Sequence, residues 1–113
     1  MPDTSIRALI VDDEPLARKG VAQLVEAVDD VAVVDEAADG PQAVQQIRSI
    51  EPDLVFLDVQ MPEMTGLEVV REIGADQMPV TIFVTAYDEY ALDAFEAQAL
   101  DYLLKPIDEE RLS

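Results

Sequence analysis

The sequence predicts a doubly wound α/β fold built on a parallel sheet. Short apolar runs alternate five times with stretches of helical periodicity along the 113 residues. Three of those runs are nearly continuous in apolar residues, as strands covered on both faces must be. Half of the residues are apolar, which is material for one core, and the length has room for one domain over residues 1–113.

The elements follow in order. Ile6–Val11 reads as the first strand, and Pro15 suits the first position of a helix whose apolar residues Ala17, Val21, Leu24, Val25 and Val28 recur with a 3.6-residue period. Val31–Val34 is the second strand. Gly40-Pro41 opens a second helix with Ala43, Val44, Ile47 and Ile50 on one side. Leu54–Leu57 is the third strand, and Gly66 precedes a third helix with Leu67, Val70 and Ile73 inward and Glu68, Arg71 and Glu72 outward. Val80–Val84 is the fourth strand. A fourth helix is read from about Asp88 with Ala91, Leu92 and Phe95 as its stripe, and Tyr102–Leu104 is the fifth strand. The last residues, Asp108 to Ser113, read as the first turn of a fifth helix, with acids at the positive end of its dipole. A helix cut after one turn cannot cover the sheet, so the fifth helix is expected to be truncated here and to continue in a longer protein.

Charge narrows the function. Twenty-five Asp and Glu against 7 Lys and Arg give a formal net charge of −18. That balance argues against direct binding to nucleic acid or anionic lipid, both of which need a basic face to neutralise phosphates. With no Cys and no His, disulfides, thiolate nucleophiles, most zinc sites and the commonest general base are excluded. Carboxylates, hydroxyls and a few amines remain, which favours hard, oxygen-seeking ions such as Mg²⁺ or Ca²⁺. The apolar run Ala8–Val11 is too short for a signal peptide, and no stretch approaches a membrane span, so a cytoplasmic location is expected.

In open parallel sheets, ligands bind outside the carboxyl ends of the strands. Strand one ends in Asp12-Asp13 with Glu14 next, strand three in Asp58, strand four in Thr85-Ala86 and strand five in Lys105-Pro106. Converging carboxylates repel, so a proton or a cation must sit among them, and a hard divalent ion is the economical answer. Thr85 and Lys105 suit the oxygens of a phosphoryl group, so the set reads as a phosphoryl-transfer site with a carboxylate nucleophile. Asp58 stands alone at the end of the central strand and is the candidate nucleophile, while Asp12 and Asp13 suit the metal. Each residue also has a plain structural reading. Asp12-Asp13 can form a turn or a helix N-cap, Asp58 a turn before Met61-Pro62, and Thr85 a cap of the fourth helix. Lys105 can be a solvated loop charge, Tyr102 a half-buried strand aromatic, and Gly66 a residue that needs an unusual φ. Their coincidence at four strand ends is what favours a site.

Val11-Asp12-Asp13-Glu14-Pro15, Leu57-Asp58-Val59-Gln60-Met61-Pro62, Thr85-Ala86 and Lys105-Pro106 together resemble the signature of response-regulator receiver domains, over essentially the whole chain. The resemblance implies a flavodoxin-like fold with a five-stranded sheet of order 2-1-3-4-5 and phosphorylation of an aspartate by a sensor histidine kinase. Asp58 would be the phospho-acceptor. Asp13 would bind Mg²⁺ (or Mn²⁺) directly, Asp12 directly or through water, and the Gln60 backbone carbonyl would complete the set with Asp58. Thr85 would be the switch hydroxyl, Tyr102 the switch aromatic that follows it inward, and Lys105 the partner of the phosphoryl oxygens. Gln60 and Tyr87 would flank the phosphoryl group. The change would alter a surface of helix four and strand five, which could dimerise or bind an effector.

The stretches Asp13-Glu14-Pro15-Leu16-Ala17-Arg18, Phe83 to Ala91 and Ala99 to Pro106 resemble receivers of the LytTR class, which precede a C-terminal DNA-binding domain. DNA contact would then belong to that output domain and not to this one. The domain would be no enzyme beyond its own phosphoryl acceptance and dephosphorylation. Two enzyme-like or cofactor-binding rivals fit poorly: Gln60 occupies the position where a haloacid-dehalogenase-like phosphatase needs a second Asp, and Asp13-Glu14-Pro15 stands where a flavodoxin has a Ser/Thr/Gly-rich loop. A degenerate receiver that binds partners without phosphorylation is the remaining alternative.

Overall fold

The computed structural model describes residues 6–28, 30–59, 61–74, 76–85 and 101–104, with residues 85 and 101–104 described through their backbone. The strands are β1 (Ile6–Val11), β2 (Val31–Ala37), β3 (Leu54–Asp58), β4 (Val80–Thr85) and β5 (Asp101–Leu104). Among the described residues, three helices alternate with them: α1 (Pro15–Glu26), α2 (Gly40–Ile50) and α3 (Gly66–Ile73). The sheet is parallel, ordered β2-β1-β3-β4, and the backbone of β5 pairs with β4 at the far edge. The expected fourth and fifth helices lie outside the described residues. Among the described residues, no helix is long and apolar enough to cross a membrane.

Strand alternation divides the core into two layers. Ala8, Ile10, Phe56 and Val84 face α1, where Val21 and Val25 cover them. Leu9, Val11, Val55, Leu57 and Phe83 face the other way, against Ala43, Val44 and Ile47 of α2 and Val69 and Val70 of α3. This explains why β1, β3 and β4 read as nearly continuous apolar runs: both of their faces are largely buried. Each buried Leu, Val or Phe contributes about 1.5–3 kcal/mol through the surface it removes from water.

Several details depart from the sequence reading. β2 runs on past Val34 to Ala37, through the exposed Asp35 and Glu36. It is an edge strand, so those side chains reach water while the backbone goes on pairing with β1. The register steps at Val34, with Ala8 opposite Val33 and Leu9 opposite Asp35, a bulge that breaks the apolar pattern. Val28 is not on the stripe of α1. The helix ends at Glu26, the Val28 N–H donates to the Val25 carbonyl at 2.9 Å in the closing turn, and its side chain is 48% exposed. In α3 the buried arc centres on Val69 and Val70, so Val69 belongs to the core beside the expected Leu67, Val70 and Ile73.

The helix ends obey local chemistry. Asp39 caps α2 by accepting from the Gln42 N–H at 2.8 Å, and Arg7 donates to the Ile50 and Glu51 carbonyls at its other end. Thr65 and Glu68 form a reciprocal capping box on α3, the Thr65 hydroxyl accepting from the Glu68 N–H and the Glu68 carboxylate from the Thr65 N–H.

Candidate functional site

The register of β1 and β3 builds the site. Val11 pairs with Leu57, so the next residue of each strand, Asp12 and Asp58, emerges at the same sheet edge. Asp12 is 2% exposed and Asp58 3%, and Asp13 is the most open of the three. One carboxylate oxygen from each of Asp12, Asp13 and Asp58 lies within 4.8 Å of the other two. At an effective dielectric of about 20, two unit charges about 5 Å apart repel by about 3 kcal/mol, so such a cluster favours a counter-cation. Three hard oxygen donors, with no sulfur or imidazole among them, match Mg²⁺ or a similar ion and disfavour soft metals.

The turn after β1 is tied down at several points. The Asp12 N–H donates to the Ala37 carbonyl at 3.0 Å, extending the β1–β2 ladder by one residue. The Asp12 Oδ1 accepts from the Glu14 N–H at 2.9 Å, and Arg18 Nη1 donates to the Asp12 carbonyl at 2.6 Å. Arg18 Nε in turn binds Glu36 Oε1 on β2 at 3.1 Å. The alternative reading of Asp12-Asp13 as a helix N-cap does not hold: Glu14 is the N-cap of α1, and it makes no side-chain cap bond. The turn chemistry foreseen for Asp12 does occur, together with the clustering.

The segment after β3 is held by close backbone approach. Val59 and Met61 are buried, and the Gly66 N–H donates to the Val59 carbonyl at 2.8 Å. A Cβ at Gly66 would overlap the Asp58 carbonyl oxygen and fall 3.1 Å from both the Asp58 carbonyl carbon and the Val59 Cα. Gly66 is therefore required by space and not by an unusual φ, since Gly74 is the glycine with positive φ among the described residues. A Cβ at Gly40 would sit 2.5 Å from the Met64 Cβ, so the start of α2 packs tightly on the same segment.

This arrangement has known counterparts. The model of the response regulator receiver domain family matches residues 8–113. The chain belongs to the response-regulator receiver family. It is 49% identical over 107 residues to the transcriptional regulatory protein BtsR of Salmonella typhi, covering 95% of this chain and 45% of that protein. The receiver thus spans less than half the length of that relative. Among solved structures, it is similar to the response regulatory domain of mrkE from Klebsiella pneumoniae, with TM-score 0.86 and 31% identity over 95% of this chain and 88% of the other. It also matches a chain of the CheX–CheY–BeF3–Mg²⁺ complex from Borrelia burgdorferi, with TM-score 0.85 and 25% identity over 98% and 91% of the two chains.

Of the residues singled out by sequence, the receiver's structure brings together Asp12, Asp13 and Asp58. It places the backbone of Thr85 at the end of β4, opposite Leu104 and one residue beyond Val84, the partner of Asp58. The backbone of Tyr102 pairs with Phe83. Gln60, Tyr87 and Lys105 lie outside the described residues. Sequence reasoning missed the parts played by Arg18, Glu36 and Gly40. None of the three carried a signal in the local sequence, since Arg18 binds a backbone carbonyl and Glu36 of a separate strand, and Gly40 acts through the room it leaves for Met64.

Proposed function

We propose that this receiver accepts a phosphoryl group on Asp58 from the phosphohistidine of a sensor histidine kinase and passes the change to an output domain. The observation that carries the proposal is the convergence of Asp12, Asp13 and Asp58 oxygens within 4.8 Å at the carboxyl edge of the sheet. Asp12, Asp13, Asp58 and the Gln60 carbonyl would hold Mg²⁺ (or Mn²⁺), which when bound offsets the charge of the carboxylates and of the incoming phosphoryl oxygens. An Asp58 oxygen attacks phosphorus, and the bond from phosphorus to the imidazole nitrogen breaks. Burial of Asp12 and Asp58 keeps their carboxylates oriented before the donor arrives. Lys105 pairs with the phosphoryl oxygens, and Thr85 moves to donate its hydroxyl to one of them. Tyr102 follows, and the surface of the fourth helix and β5 changes its partner or dimerises. Gln60 and Tyr87 flank the group and set how long it lasts.

The relatives' names as transcriptional regulators and the resemblance of Asp13 to Arg18 to LytTR receivers support a DNA-binding output domain in the whole protein. The net charge of −18 supports leaving DNA contact to that domain, in the cytoplasm. The test is incubation with Mg²⁺ and a small phosphodonor, read by intact mass. Wild-type protein is expected to gain one phosphoryl group and Asp58→Asn none. A phosphorylated Asp58→Asn variant would overturn the assignment, and absence of Mg²⁺ binding would favour a phosphorylation-independent receiver.

A further inference from the structure

We propose that Arg18 is a positioning residue for the metal turn: it sets the angle between the Asp12 and Asp13 carboxylates by holding the peptide that joins them. The inference rests on the proposed Mg²⁺ site and extends it to a residue outside the ligand set. Arg18 Nη1 donates to the Asp12 carbonyl at 2.6 Å, a short, charge-assisted bond. That carbonyl belongs to the peptide plane shared by Asp12 and Asp13. Its orientation fixes the ψ of Asp12 and therefore the direction in which the Asp13 side chain departs.

The rest of Asp12 is tied by other hydrogen bonds, its N–H to the Ala37 carbonyl and its Oδ1 to the Glu14 N–H. Asp13 is the open member of the cluster and depends most on the plane that Arg18 holds. Arg18 is itself prevented from swinging away. Glu36 Oε1 binds its Nε at 3.1 Å, its side chain is only 19% exposed, and its own N–H donates to the Glu14 carbonyl at 3.1 Å. The guanidinium thus spans β2, the turn and α1 with two separate donors, which an ammonium cannot reproduce.

Charge and geometry predict opposite signs here. Deleting a cation beside a divalent-ion site should tighten Mg²⁺ by relieving repulsion. Releasing the peptide plane should weaken it, by about 10-fold if Arg18 acts as groups that orient metal ligands usually do. The experiment is calorimetric Mg²⁺ titration of wild type, Arg18→Ala, Arg18→Lys and the control Lys19→Ala, with metal-free thermal unfolding of each. Weaker binding by Arg18→Ala and Arg18→Lys alike, with Lys19→Ala unchanged or slightly tighter, is expected. If Arg18→Ala does not fold, Arg18→Lys, which keeps the charge, carries the same test. Unchanged or tighter binding by the Arg18 variants, with only their unfolding temperature lowered, would overturn the inference and leave the Mg²⁺ site standing. Absence of binding by the wild type would overturn both.

Discussion

Gly66→Ala adds one methyl group, and its neighbours decide the cost. The new Cβ would overlap the Asp58 carbonyl oxygen and press within 3.1 Å of the Asp58 carbonyl carbon and the Val59 Cα. These are backbone atoms at the buried end of β3, not the tips of flexible side chains, so relief requires a shift of β3 against α3. Overpacking of this kind costs about 1–3 kcal/mol, and the reduced freedom of the unfolded chain returns about 0.4–1 kcal/mol; the net loss is therefore at most about 2.6 kcal/mol, and falls in the upper part of that range because backbone atoms must move. At about 4 °C per kcal/mol for a domain of this length, the unfolding temperature should fall by several degrees, up to about 10 °C. Gly20→Ala supplies the internal reference. Gly20 lies in the middle of α1 with nothing within 4 Å of an added Cβ, so the same chemical change should stabilise by about 0.5–1 kcal/mol. Thermal and urea unfolding followed by circular dichroism, without metal, compares the two. Because Gly66 presses on the residue proposed to bind Mg²⁺, calorimetry should also show weaker Mg²⁺ binding in Gly66→Ala and none of that loss in Gly20→Ala. A Gly66→Ala protein as stable as wild type, or one that moves in the same direction as Gly20→Ala, would refute the close-approach reasoning.

Thr65→Ala removes half of the capping box on α3 and should cost about 1 kcal/mol, measured as a lower urea midpoint at unchanged slope. Leu57→Ala opens a cavity in the layer beneath α2 and α3, where Leu57 is fully buried, and should cost about 2–5 kcal/mol in the same assay. Mg²⁺ at ten times its Kd should stabilise the wild type by about 1.4 kcal/mol. Asp12→Asn keeps an oxygen for the Glu14 N–H but removes one of the clustered charges, so its unfolding temperature should lose most of this dependence on Mg²⁺.

Much of the fold was legible because burial on both faces of a central parallel strand writes itself into the sequence as an apolar run. β1 and β3 were read almost to the residue for this reason. β2 was read three residues short because an edge strand owes its pairing to backbone groups and lets Asp35 and Glu36 face water. Val28 and Val69 show the limit of periodicity: a helix can end inside its own pattern, and the buried arc is set by what it packs against. The carboxylates of the site were legible because each stands at or just past the carboxyl end of a strand, where topology must bring strand ends together. Arg18 and Gly40 were not, since one acts through a backbone carbonyl and the other through an absent side chain.

By itself, the sequence determined the alternation of strands and helices, the acidic and His-free chemistry, and the strand ends at which Asp12, Asp13 and Asp58 would stand. Those properties depend on residue type and local order. Tertiary structure decided the β1–β3 register that places Asp12 beside Asp58, the Arg18 bond that orients the turn, and the Gly66 contact that leaves no room beside Asp58. These depend on distances between segments remote in the chain, which are fixed only when the two core layers close around the sheet.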